Sequence, residues 1–167
     1  TRFTFPRQSE GLGVCLTDFV NPKGDSVAFF VLRTGDGIDQ LAKQLMDDGK
    51  YFDSHALFSI SLEAAEAYAE KMHQIIRSEW GYPDPDDIDI ESVFKLKYRG
   101  LRVSFGYPAC PRLEDQKLLW ELMAPDDKIG VTLSDEYMMH PEASVSALVF
   151  HHPTARYFTI NDADYTA

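Results

Sequence analysis

The chain has 167 residues, a formal net charge of −11, and 44% hydrophobic and 13% aromatic residues. That length fits one domain with its own core, and no apolar run reaches the roughly 18 residues of a membrane span. The negative charge opposes nucleic-acid phosphates and anionic membrane surfaces, while two cysteines, Cys15 and Cys110, are too few for a disulfide framework or a four-thiolate metal site and suit a reducing cytoplasm.

Residues 11–20, GLGVCLTDFV, and 26–33, SVAFFVLR, are β-branched and aromatic runs separated by NPKGD, whose turn chemistry predicts a β-hairpin. The second run is apolar almost throughout, which predicts a central strand covered on both faces. Residues 38–48 place Leu41, Ala42, Leu45 and Met46 at helical spacing until Gly49. Ser61 reads as the N-cap of a longer helix whose apolar stripe is Leu62, Ala65, Ala69, Met72 and Ile76, ended by Gly81. A polar stripe of Glu66, Glu70, His73 and Arg77 runs beside it, spaced as i,i+4 pairs on a solvent face.

Residues 83–92, PDPDDIDIES, invite a calcium-loop reading but lack the EF-hand glycine and ligand intervals, so a solvated acidic loop without metal is expected. Residues 113–123 predict a short amphipathic helix, and 129–133, 143–151 and 156–160 predict strands, the last two joined by the HPTA turn. Strands at both ends with helices between them predict a single α+β domain, a twisted antiparallel sheet with flanking helices.

The chemistry concentrates in residues 98–111, YRGLRVSFGYPACP, with two arginines, two glycines, two prolines and three aromatics but no acid. Glycine and proline make this a loop of fixed shape. Arg102 offers a planar fork for a carboxylate, and Tyr107 an aromatic face for a cation or flat ring; a small amphoteric ligand and a plain structural turn both fit. Adjacent His151 and His152 would point to opposite faces of a strand, which with His140 makes a poor zinc site. Cys110, between Ala109 and Pro111, lies outside the setting that activates a thiol and reads as a packed structural group.

Residues 98–111 closely resemble the signature loop of the C-terminal activation domain of cobalamin-dependent methionine synthase, in which RG-[IL]-R is followed by GYPACP. The resemblance continues through CLTDFV, AEAYAEKMH, RSEWGY and LSDEYMMHPEASVSALVFHHPTARYF in the same order. It implies that the chain binds S-adenosylmethionine and presents its methyl group for reductive methylation, hence reactivation, of cob(II)alamin. The cobalamin would sit on a separate domain, and flavodoxin or a flavoprotein reductase would supply the electron. It further implies Arg102 on the ligand carboxylate, backbone around Ser104 and Gly106 against the ligand, Tyr107 and Tyr157 as aromatic contacts, and Glu66 on a positive or hydroxyl group.

On this reading the chain is part of a methyltransferase, is not catalytic alone, and starts inside the family's domain without its N-terminal part. The sequence departs from the family where a glutamate aligns with Leu96, and an N-terminal acidic contact has no counterpart. A non-catalytic docking module for a corrinoid protein or its reductase is the alternative reading; a thiol enzyme using Cys110 is a remote one.

Overall fold

The computed structural model describes residues 1–165. In chain order the elements are β1 (Ala28–Arg33), α1 (Ile38–Asp47), α2 (Tyr51–Glu79), α3 (Ile90–Phe94), β2 (Leu101–Val103), α4 (Gln116–Met123), α5 (Pro125–Ile129), β3 (Thr132–Leu133), β4 (Met139–His140) and β5 (Ser144–Phe150). The main sheet is antiparallel in the order β1-β5-β2, and β3 pairs with β4 in a small ribbon. This is the α+β architecture expected.

Every residue of β5 is buried, because the strand separates two cores. Side chains alternate across a strand. Val145, Ala147 and Val149 therefore join Phe30 and Leu32 of β1 and pack on Ala65 and Ala69 of α2, whose short side chains bring the helix close to the sheet. On the opposite face Leu148 and Phe150 meet Leu101 and Val103 of β2, together with Val14, Leu16, Phe19, Phe105, Leu119 and Trp120. Arg102, between Leu101 and Val103 and opposite Val149, is thereby turned toward α2.

Several expectations are corrected. Residues 11–20 do not pair with 26–33: they hold a 3-10 turn at Leu16–Phe19, where the Asp18 carboxylate accepts the Cys15 N–H at 3.0 Å. β1 lies at the sheet edge and pairs with β5 instead. Helix α2 begins at Tyr51, and Ser61 lies inside it, donating its hydroxyl to the Phe58 carbonyl at 2.7 Å. Residues 113–123 split into a 3-10 turn and α4, while α5 takes the chain through Ile129 and leaves β3 only two residues. Residues 156–160 form no strand; the Ile160 N–H donates to the Pro108 carbonyl at 2.8 Å, tying this run to the 98–111 loop. No described helix is long and apolar enough to cross a membrane.

Candidate functional site

The 98–111 loop is shaped by two close approaches. Gly100, at φ +95°, passes so near β5 that a β-carbon there would lie 2.6 Å from the Phe150 carbonyl oxygen. Gly106, at φ +82°, donates its N–H to the Cys110 carbonyl at 2.9 Å, and the Cys110 N–H returns a bond to the Tyr107 carbonyl at 2.8 Å. This reciprocal turn buries Ala109 and Cys110 and leaves Tyr107 52% exposed.

A groove of about 640 Å³ opens beside the loop. Arg102 and Ser104 line it from β2 and the residues after it, Glu66 from α2, Lys95 and Leu96 from the end of α3, and Tyr107 and Tyr157 from the two connected loops. Of the six residues expected at the site the structure brings five to this groove. Gly106 does not line it, its backbone being committed to the turn that sets Tyr107. A side chamber of about 170 Å³ shares Glu66, Ser104 and Tyr107 with the groove. Lys95 and Arg156 also line the groove; nothing in its local sequence marks Lys95 out, whereas Arg156 lies in the HHPTARYF run of the family resemblance.

Arg102 sits between two carboxylates, 3.6 Å from Glu66 and 3.8 Å from Glu70, near enough for ion pairing but beyond hydrogen-bond reach. Its donors thus remain available to an incoming acceptor while its charge is balanced. Glu66 is half exposed; Arg102 and Glu70 are mostly covered.

Beneath the groove lies a polar layer where the sequence predicted a solvent face. His73 is fully buried and Arg77 is 2% exposed. The Arg77 guanidinium donates to Asp84 through Nε at 2.9 Å and a terminal nitrogen at 2.5 Å, stacks 3.8 Å from the centre of the Tyr98 ring, and comes within 3.7 Å of Glu70. Tyr98 donates its hydroxyl to Glu70 at 3.3 Å, and His73 meets the ring edge-on. Burial, reinforced by Arg77 and Arg102, pushes the His73 imidazole down to about 3, so it is neutral at physiological pH. The Tyr98 phenol is held well above its usual range, chiefly by burial and then by Glu70.

The acidic loop is correspondingly not all solvated. Asp84 is buried against Arg77, and Asp89 caps α3 by accepting the Ser92 N–H at 2.6 Å. The histidines have separate neighbours: His140 lies 3.8 Å from Asp39, His151 2.7 Å from Asp25, and His152 accepts the Thr154 N–H in the turn at Pro153. Among the described residues no three histidine, cysteine or acidic side chains gather as a metal ion would need. Cys110 is a core residue, and burial pushes its thiol up to about 12.

Residues 2–166 match the family model described as vitamin B12 dependent methionine synthase, activation domain. The methionine synthase of Mycobacterium leprae is 39% identical over 173 residues, and that of Mycobacterium tuberculosis 38% over 175; each match covers 95% of this chain and 14% of the relative. The crystal structure of the MetH reactivation domain bound to AdoHcy superposes with a TM-score of 0.86 at 30% identity, over 93% of this chain and 50% of that one. The chain thus spans about one seventh of the relatives' length and half of the solved domain. Motif, overall sequence and fold agree along nearly the whole chain, and it belongs to the family of vitamin B12-dependent methionine synthase activation domains.

Proposed function

We propose that this chain binds S-adenosylmethionine in the groove beside Arg102 and presents its methyl group for the reductive methylation of cob(II)alamin held by a separate domain. The observation that carries the reading is Arg102, charge-balanced but with free donors, in a groove walled by two half-exposed tyrosines, in a chain whose fold matches a domain solved with AdoHcy bound. The arginine fork suits the ligand carboxylate, Glu66 suits its ammonium or ribose hydroxyls, and Tyr107 and Tyr157 offer faces to the sulfonium and adenine. Ser104 contributes backbone beside Arg102. Gly106 acts one step back, by holding the turn that places Tyr107.

The reduced cobalt of the cofactor supplies the nucleophile, and flavodoxin or a flavoprotein reductase supplies the electron. The chain's own residues bind and orient the sulfonium and exclude water from one side of it. Its one thiol near the site, Cys110, is buried and protonated. A cytoplasmic setting suits its two unpaired cysteines.

Methyl-labelled S-adenosylmethionine decides the matter when it is incubated with the chain alone and then with a cobalamin-binding domain and a low-potential reductant. Label should reach methylcobalamin only in the complete mixture. Binding of the cobalamin domain without any label transfer would favour the docking-module reading instead.

A further inference from the structure

Glu70 is one helical turn from Glu66 on α2, yet it lies deeper, behind Arg102 rather than in the groove mouth. Its two oxygens face different partners. One lies 3.7 Å from Arg77; the other accepts the Tyr98 hydroxyl at 3.3 Å and lies 3.8 Å from Arg102. Two of those partners are themselves fixed, Arg77 by its two-pronged pair with Asp84 and Tyr98 by the Arg77 guanidinium stacked on its ring.

We infer that Glu70 is a positioning residue for ligand recognition, its charge drawing the Arg102 guanidinium to one place beside the groove while leaving the hydrogen-bond donors free for a carboxylate; this rests on the reading of the groove given above. An arginine side chain loses much rotamer freedom when fixed, so a rigid carboxylate behind it lowers the cost left to the ligand. Glu70 also carries a negative charge that could repel the ligand carboxylate. That effect is the smaller one, because Glu70 shares its charge between two guanidinium groups and does not line the groove. Tyr98 joins the same device, since its hydroxyl orients the carboxylate that orients the arginine.

The test is calorimetric titration of the wild type, Glu70→Gln, Arg102→Ala and the double variant with two probes: AdoHcy, and 5′-methylthioadenosine, which lacks the amino-acid end. Glu70→Gln should weaken AdoHcy binding at least fivefold, leave 5′-methylthioadenosine unchanged, and add nothing in the Arg102→Ala background. Tyr98→Phe keeps the ring and should weaken AdoHcy in the same sense by a smaller factor, which decides the case if Glu70→Gln does not fold. Equal losses for both probes would make Glu70 merely structural, and tighter AdoHcy binding would make it a competing anion; either overturns the inference. Failure of the wild type to bind AdoHcy would instead overturn the reading of the groove.

Discussion

At Gly100 the backbone and β5 leave no room for a side chain. Alanine there would face both a positive φ and a carbonyl oxygen at 2.6 Å, and that atom belongs to the central strand and cannot swing aside. Gly100→Ala should therefore destabilise the fold by about 1–3 kcal/mol and disturb β2 pairing, as thermal unfolding would register; an unchanged melting temperature would mean that the loop relaxes freely. Cys110 makes the opposite case. Its sulfur fills core space and does not line the groove, so Cys110→Ala should cost about 1 kcal/mol in stability while AdoHcy affinity stays within about twofold. A tenfold loss of affinity in a folded variant would contradict that role.

Much at this scale was legible, because the loop's glycines, prolines, arginine and tyrosine act over a few bonds and their roles follow from residue chemistry. The Glu70, His73 and Arg77 layer was not. Their i,i+4 spacing is the same whether a helix face meets solvent or a second polar layer, and only Tyr98, 28 residues after Glu70, and Asp84 beyond the helix end decide between them.

Among the elements, α3 controls the groove edge. It has five residues, and its first turn is secured by the Asp89 side chain on the Ser92 N–H. Two residues after its end Leu96 takes a positive φ of 52°, rare for a branched side chain, where it lines the groove. Removing the cap should cost about 0.5–2 kcal/mol locally. Asp89→Ala is expected to speed hydrogen exchange of the amides at 93–97, with β5 amides unaffected; protection unchanged at 93–97 would show that tertiary packing alone holds the segment.

Periodicity made α1, the later two thirds of α2 and α4 readable, but not α3, α5 or the partnership of the strands. NPKGD has good turn chemistry, yet the residues before it adopt a turn capped by Asp18, and those after it pair with a strand more than a hundred positions away. Burial on both faces of β5 sets that partnership. Helix α2 likewise runs past Ser61, whose hydroxyl is satisfied within the helix as easily as at a cap.

Across the whole molecule, several long-range polar contacts bind the residues before β1 to the chain after β5, among them Gln8 to Thr159, Ser9 to Asp164 and Asp25 to His151. Asp25 lies 2.7 Å from His151, and the backbone N–H groups of Asn21 and Ser26, followed by His151, hold its carboxyl down to about 2. A folded value below the ordinary 3.8 means that its contribution to stability is complete above about pH 4 and is lost as pH falls toward 2. Asp25→Asn should flatten the acid limb of the melting curve between those values; identical slopes for the two proteins would place the acid sensitivity elsewhere.

The ligand is expected in the groove beside Arg102. Besides the groove, a second cavity of about 520 Å³ lies across the sheet end between Arg33, Gln40 and His140, and it too offers an arginine and glycine backbone. Titration with AdoHcy followed by amide chemical shifts separates the two directly. Shifts should concentrate at Glu66, Arg102, Ser104, Tyr107 and Tyr157, and should disappear in Arg102→Ala; shifts confined to the backbone at 33–40, or no saturable change, would contradict the account.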